Sequence, residues 1–240
     1  QQVREFKVSQ LVNSDTQFDA LHVSVIQTLG PGNHLPQFPG ICDEHFVTDS
    51  EAGKGMITKR EVRLNILSLL QPANEDVIWD IGAGCGSVAV ELAYWNSKCQ
   101  VYAIEHHAER LLCLEANRQK FGVPANLKVV AGRAPAALAP LSMPNKVFIG
   151  GSDGELAELL DQVWQLLPEG GVLVASSVME TSKQVLLQFL QIREQHLDSI
   201  NETSQIAISR GGTLAGQLLY RPALPVTLFK FVKRDKPIHG

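Results

Sequence analysis

From about residue 58 onward, short apolar runs alternate with longer stretches in which apolar residues recur every three or four positions. The runs predict buried β-strands, and the longer stretches predict amphipathic helices. The predicted strands are 77–79, 101–104, 127–130, 146–149 and 172–175. The first predicted helix begins at Thr58, where Glu61 completes a capping box. The other predicted helices are 87–93, 107–121, 155–167 and 181–196. This alternation predicts an α/β fold with a doubly wound, mostly parallel sheet.

Both ends of the chain depart from this alternation. Segments 204–209 and 226–231 have no helix between them and predict a closing antiparallel strand pair, joined by 210–225. Near the other end, 21–27 has the pattern of a strand, and the Gly- and Pro-rich stretch 30–40 is typical of a linker. We therefore interpret 1–46 as the tail of a preceding domain plus a connector, and 47–240 as the main domain. An N-terminal extension packed on the same domain is the alternative.

The most informative motif follows the first predicted strand. Gly82, Gly84 and Gly86 lie between that strand and the next helix, and Glu105 ends the second strand. Such a unit binds nucleotide-like cofactors, because glycines let a ligand approach the backbone and the acid accepts hydrogen bonds from both ribose hydroxyls. The dinucleotide fingerprint requires glycine at position 87, which is Ser87, so the pattern favours a cofactor without a pyrophosphate. A tight turn with no ligand is the alternative.

Composition narrows the function classes. The 240 residues, 45% of them hydrophobic, are enough for one well-buried mixed domain and some extra chain. A net charge of −4 without a basic stripe argues against a nucleic-acid partner, and no apolar run is long enough to cross a membrane. Because no basic and apolar leader follows Gln1, we expect a cytoplasmic protein. The four cysteines form no C-x-x-C pair and no histidine cluster accompanies them, so neither a metal site nor a disulfide framework is predicted.

Five blocks, in their order and spacing, resemble one enzyme family: GICDEHF (40–46), ITKREVR (57–63), WDIGAGCGS (79–87), GRAP (132–135) and FIGGS (148–152). The family is that of the decarboxylating precorrin-6Y methyltransferases of cobalamin biosynthesis, and the resemblance runs from about residue 40 to the end. It implies a Rossmann-like S-adenosylmethionine-dependent methyltransferase fold with an antiparallel C-terminal strand pair. Residues 18–29 are similar to the last strand of a partner methyltransferase module, which implies a fused or separate partner of that kind.

The resemblance also implies the site. S-adenosylmethionine is expected to contact Thr58, Gly82, Ala83, Gly84, Cys85, Gly86, Glu105 and Ala134. The implied reaction is methyl transfer to carbon 15 of a precorrin and loss of carbon dioxide from the acetate on carbon 12. Because precorrins carry many carboxylates, the candidate substrate-binding residues are Arg133, Arg210 and Arg221. No catalytic acid or base is assigned, and a homo-oligomer is implied by analogy with the family.

Two other function classes stay open at this point. A methyltransferase acting on RNA would share the cofactor unit, but the chain has neither an Asn/Asp-Pro-Pro-Tyr/Phe segment nor a Pro-Cys nucleophile. Gly150–Gly154 follows the fourth predicted strand instead. We expect this segment to leave an open area at the base of the site and not to stack against a nucleic-acid base. The other class is a non-catalytic cofactor-binding module that serves another subunit.

Overall fold

The computed structural model describes residues 3–12, 14–27, 37–51 and 53–235. The chain divides into two compact units, residues 1–35 and 36–240. In the described part of the first unit, the only regular element is the short helix α1 (Val8–Val12). The prediction of a strand at 21–27 is wrong: Val23 and Val25 are almost fully exposed, and no strand pairs with them in the described part of this unit. Residues 30–36 of the predicted linker lie outside the described residues.

The second unit alternates helices and strands, as predicted. Its helices are α2 (Arg60–Leu70), α3 (Ser87–Trp95), α4 (Ala108–Lys120), α5 (Leu156–Leu166) and α6 (Glu180–His196). Its strands are β1 (Val77–Ile81), β2 (Gln100–Glu105), β3 (Leu127–Ala131), β4 (Lys146–Ile149), β5 (Val172–Ser177), β6 (Ser199–Ile206), β7 (Ser209–Leu214), β8 (Gln217–Pro222) and β9 (Val226–Lys233). Short 3₁₀ turns lie at Asp43–His45 and Ala136–Leu138.

Seven of the described strands form one sheet in the order β3-β2-β1-β4-β5-β9-β6. Strands β1 to β5 are parallel, whereas β9 runs antiparallel to both β5 and β6. The doubly wound fold and the closing antiparallel pair are therefore confirmed. The pair is longer than predicted, since β6 begins at Ser199. The connection between its strands forms a hairpin of its own, β7–β8, which the sequence analysis did not predict.

The sheet is covered on both faces. Successive residues of a strand point to opposite faces, so Ile78 shares an apolar cluster with residues of α2, α3 and α4, whereas Trp79 and Ile81 share one with α5 and α6. Strand β1 is the middle one of the five parallel strands and lies between β2 and β4. The loops that follow these three strands therefore meet at one edge of the sheet, which is where open α/β sheets bind ligands. None of the described helices has both the length and the apolar character that a bilayer span requires.

The capping box predicted at Thr58 is not formed. Helix α2 begins at Arg60 with Lys59 as its N-cap, and the cap side chain makes no hydrogen bond to the helix. The carboxylate of Asp43 instead accepts a hydrogen bond from the Arg60 N–H at 3.0 Å. The capping group therefore comes from a residue distant in sequence, which a local pattern does not reveal.

A buried arginine ties the segment around residues 40–43 to the domain. The guanidinium of Arg63 places Nε 2.5 Å from Glu91 Oε1 and Nη1 3.1 Å from Asp43 Oδ1, and it donates to the carbonyl oxygens of Ile41 and Thr58. Glu91 accepts further hydrogen bonds from two backbone N–H groups and an indole N–H. Both charges are fully buried and hydrogen-bonded. The larger unit thus includes residues 37–46, which the sequence analysis placed in the tail and linker.

The Arg63→Ala substitution tests this network. Removing the guanidinium leaves the Glu91 carboxylate buried without its cation, so we expect the free energy of unfolding to fall by about 3–5 kcal/mol. Urea unfolding followed by circular dichroism measures the change. The matched control is Arg60→Ala, a partly exposed arginine of the same helix, which should cost less than about 1 kcal/mol. An equally small loss for Arg63→Ala would contradict the role given to the network.

Candidate functional site

The glycine loop between β1 and α3 is shaped by close contacts within the protein. Gly82 has φ +72°, and a Cβ there would lie 2.6 Å from the Gly151 carbonyl oxygen. Gly84 has φ +59°, and a Cβ there would lie 2.4 Å from the Met56 carbonyl oxygen. Real Cβ atoms do not tolerate such distances, and a positive φ is strained for most residues with side chains. The loop therefore needs these glycines for its own packing, whether or not a ligand is bound.

The backbone N–H groups of this loop are also used within the protein. Those of Gly82 and Ala83 donate to the Ile104 carbonyl oxygen at 3.0 Å each. The Cys85 N–H donates to the Met56 carbonyl oxygen, the Gly86 N–H donates to that of Ala83, and the Gly84 N–H donates to the Glu105 carboxylate. A loop that cradles phosphates presents free N–H groups. This loop does not, which agrees with the expectation of a ligand without a pyrophosphate.

Glu105 is the acid at the end of β2, and it is 3% exposed. Its Oε2 accepts the Gly84 N–H at 2.9 Å, and its Oε1 accepts the N–H groups of His106 and His107 at 2.8 and 2.9 Å. A carboxylate offers about four acceptor positions. Three are used here, so in this conformation Glu105 retains room for roughly one further donor from a ligand.

A small cleft of about 20 Å³ opens at this edge of the sheet. It brings together four of the predicted site residues: Gly82, Glu105, Arg133 and Ala134. The other lining residues were not predicted from the sequence; they are Ile81, Ile104, His106, Gly132, Gly151, Ser152 and Asp153. Gly150–Gly154 was expected to leave an open area at the base of the site, but the Gly151 backbone packs against Gly82 and Asp153 lines the cleft. The topology offered a signal, since this segment follows the strand beside β1.

The other predicted cofactor residues lie outside the lining of this cleft. The backbone of Thr58 is held by Ser87: its N–H donates to the Ser87 hydroxyl at 3.2 Å, and that hydroxyl lies 3.3 Å from the Thr58 carbonyl oxygen. The Cys85 side chain is fully buried in a small cluster with Ile57 and Cys113. Burial raises the pKa of the Cys85 thiol to about 12. The thiol is therefore neutral, and no nucleophilic role follows from its place in the loop.

Asp80 is a buried acid within β1 that was not among the predicted site residues. Its Oδ2 accepts the Ala89 N–H at 2.9 Å, while Oδ1 has no hydrogen-bond partner among the described residues. Burial raises the pKa of this carboxyl to about 7, and the nearby charge of Glu105 adds to the effect. A buried oxygen without a hydrogen-bond partner is costly when it is charged. With a pKa of about 7, the Asp80 carboxyl is protonated in a large fraction of the molecules at neutral pH.

The three candidate substrate arginines do not converge. Arg133 donates from Nη2 to the Asp153 carbonyl oxygen at 3.1 Å, and its Nε lies 3.4 Å from Glu155. Arg210 donates to Glu61 Oε2 at 2.6 Å, beside a second notch that Arg60 also lines. Arg221 is the cross-strand partner of Arg210 in the β7–β8 hairpin. Arg133 thus belongs to the wall of the first cleft, and Arg210 belongs to a different one.

Three potential metal ligands meet at the same edge, although the sequence predicted no metal site. The donor atoms of Glu105, His106 and His107 lie within 4.8 Å of one another. The carboxylate is already an acceptor for three backbone N–H groups. Glu105 and His106 line the cleft, and we do not assign the three residues to a metal centre.

Known proteins share this sequence and this fold. Residues 49–233 match the family model described as the precorrin methyltransferase domain. The chain belongs to the precorrin methyltransferase family. It is 38% identical over 199 residues to the precorrin-6Y C(5,15)-methyltransferase (decarboxylating) of a Sinorhizobium species; this match covers 83% of the chain but only 45% of that relative. The chain thus spans about half the length of that relative.

Two further family members match along nearly their whole length. The chain is 33% identical over 189 residues to a probable cobalt-precorrin-6B C(15)-methyltransferase (decarboxylating) from Pyrobaculum aerophilum, a match that covers 78% of the chain and 93% of that protein. The crystal structure of the C-terminal domain of precorrin-6Y C5,15-methyltransferase from Rhodobacter capsulatus superposes with a TM-score of 0.71 at 31% identity. That superposition covers 83% of this chain and 100% of the other. The predicted family is therefore confirmed.

The Asp80→Asn substitution tests the buried carboxyl of this family member. Burial raises the pKa of Asp80 from its ordinary 3.8 to about 7, so between those values the folded chain holds a proton that the unfolded chain has released. The stability contributed by this group is full below about pH 4 and is lost as pH rises through about 7. Relative to Asp80→Asn, we expect the unfolding free energy of the wild type to fall by up to about 4 kcal/mol between pH 4 and 8. Urea titrations over that range measure it; parallel pH profiles would contradict the assignment.

Proposed function

We propose that this chain is an S-adenosylmethionine-dependent methyltransferase that methylates carbon 15 of a precorrin and removes carbon dioxide from the acetate on carbon 12. The observation that carries the proposal is the cleft at the carboxyl edge of the sheet, with Glu105 beside the glycine loop, in a chain of the precorrin methyltransferase family. The names of the relatives supply the substrate class, since they are precorrin and cobalt-precorrin methyltransferases described as decarboxylating.

The described residues fit this cofactor. Glu105 keeps an acceptor position for a ribose hydroxyl, and its negative charge disfavours a 2′-phosphate. Ala134 lines the cleft with little side-chain bulk where the adenine edge would lie. The unpaired Oδ1 of Asp80 places a buried carboxyl next to the loop, and a cationic ligand is a suitable partner for it. When bound, S-adenosylmethionine supplies a methyl group on a sulfonium, which is already activated for transfer.

The chain's own task is alignment. The glycine loop and Glu105 hold the donor at a fixed depth in the sheet edge, and orientation of two reactants is a large part of catalytic power. The precorrin carbon is enamine-like, and its conjugated ring can accept the electrons released by decarboxylation, so neither step requires a protein nucleophile. The neutral, buried Cys85 agrees with this. We assign no catalytic acid or base.

The substrate carboxylates need cations, for which we propose Arg210 and Arg221 on the hairpin and Arg133 at the cleft wall. Arg210 and Arg221 are both exposed and lie directly opposite each other, an arrangement of like charges that an anion would relieve. Arg133 is engaged by Asp153 and Glu155, and Arg210 by Glu61, so a substrate carboxylate would compete with these partners for both arginines.

We also propose that the chain is the C-terminal module of a two-module enzyme. The match to 45% of the Sinorhizobium relative supports this, as does the Rhodobacter capsulatus structure, which is itself described as a C-terminal domain. Residues 18–29 would then derive from the preceding methyltransferase module. A cytoplasmic location and a homo-oligomer complete the proposal, the latter by analogy with the family.

Glu105→Gln tests the cofactor assignment. The amide retains one oxygen acceptor in place of a charged carboxylate, so we expect binding of S-adenosylhomocysteine to weaken by about ten- to a hundredfold. Isothermal titration calorimetry measures the affinity. The matched control is Glu109→Gln, an exposed acid in the first turn of α4, which should leave the affinity unchanged. Equal affinities for both variants would mean that the cofactor does not use Glu105.

Mass spectrometry tests the reaction. A precorrin-6Y-type substrate is incubated with this chain and S-adenosylmethionine, and a reaction without the cofactor is the control. We expect gain of one methyl group at carbon 15 and loss of one carbon dioxide, both dependent on the cofactor. An unchanged substrate despite confirmed cofactor binding would contradict independent activity of this module, and repeating the assay with the partner module added would separate that result from a wrong substrate.

A further inference from the structure

A set of polar contacts spans one side of the candidate cleft. His106, after β2, places Nε2 3.4 Å from Asp153 Oδ2, after β4. Arg133, after β3, donates to the Asp153 carbonyl oxygen at 3.1 Å and lies 3.4 Å from Glu155. We call these four residues the cleft bridge. The loops that follow β2, β3 and β4 are thus joined to one another through Asp153 and Glu155.

The segment that carries Asp153 has the backbone freedom of a hinge. Asp153 has φ +47°, a left-handed conformation that is uncommon outside glycine. Gly154 follows with φ +91°, and a Cβ there would meet nothing within 4 Å, so its surroundings are open. Gly150 and Gly151 precede the pair. Glycines on both sides let this segment rotate while β4 and α5 stay in place.

The size of the cleft shows that something must move. At about 20 Å³, its volume is far below the ~300–1,000 Å³ usual for sites of small molecules and cofactors. Three members of the cleft bridge, His106, Arg133 and Asp153, line it. In this conformation the bridge therefore forms part of the wall that must move for a cofactor to fit.

On the basis of the function proposed above, we propose that the cleft bridge gates the cofactor cleft, opening at residues 150–154 to admit S-adenosylmethionine. The cleft lined by the intact bridge is too small for the cofactor, so the contacts form in the free protein and are broken in the complex. They therefore slow association and lower the affinity, and they leave dissociation nearly unchanged.

The strength of the contacts suits a gate that opens repeatedly. The side chains of His106 and Asp153 are 32% and 48% exposed, and partly exposed ion pairs contribute little to stability. His106 also faces Glu105, whose Oε1 lies 3.6 Å from its Nδ1, and its ring packs against the His107 ring at a tilt of 38°, with 4.0 Å between centroids. The imidazole is thus held near the cleft even when its contact with Asp153 breaks.

The test compares rates with affinity for S-adenosylhomocysteine. Surface plasmon resonance gives the association and dissociation rates, and calorimetry gives the dissociation constant. For His106→Ala and for Arg133→Ala we expect the association rate to rise about threefold, and for the double variant about tenfold, with the dissociation constant lower by the same factor and the dissociation rate within about twofold of the wild type. The matched control is His196→Ala, which removes an exposed imidazole in the last turn of α6, away from the cleft lining; its rates should not change.

Other outcomes overturn the proposal in distinguishable ways. If dissociation alone accelerates and affinity falls, His106 and Arg133 are ordinary ligand contacts and the gate is wrong. If the rates stay the same while the wild type binds normally, the gate is also wrong, but the proposed function stands. If the folded wild type does not bind S-adenosylhomocysteine, the cofactor assignment fails and the gate fails with it.

Discussion

The site depends on one carboxylate. Glu105 accepts hydrogen bonds from the N–H groups of Gly84, His106 and His107, and so joins the glycine loop after β1 to the end of β2 and the start of α4. Hydrogen bonds to a charged acceptor are about twice as strong as neutral ones, and this acceptor is buried. The acid that a ligand would use is therefore also the residue that fixes the shape of the loop beside it.

A second buried network of hydrogen bonds fixes the chain segments that pack against the glycine loop. The Arg63–Glu91 pair holds the chain around residues 40–43 against α2 and α3, and Thr58 is fixed against the first residue of α3. Met56 lies just before Thr58, and its carbonyl oxygen receives the Cys85 N–H. The approach of Met56 to Gly84 is thus a consequence of packing that begins outside the glycine motif. The shape of the loop is therefore a property of the whole sheet edge and not of the glycine motif alone.

How much the sequence predicts depends on whether the signal is local. Apolar runs located β1 to β5 and β9, because strands within the sheet are mostly buried and apolar, whereas only the end of the edge strand β6 was located; Glu105 was found because it follows such a run. The capping group of α2 was missed, because Asp43 reaches it from a distant segment. Residues 21–27 have a strand pattern but no partner for their backbone within the described part of their unit, so periodicity alone did not make a strand. His106 and Asp153 were missed because a cleft wall is assembled from three loops that no spacing rule connects.

The central claim is that a cofactor lies along the edge formed by β1, β2 and β4 with its ribose on Glu105. A crystal structure of this chain with S-adenosylhomocysteine tests it most directly. The account predicts a ribose hydroxyl within hydrogen-bonding distance of the Glu105 carboxylate and the adenine beside Ala134. A ligand bound elsewhere, or one whose ribose makes no contact with Glu105, would contradict it.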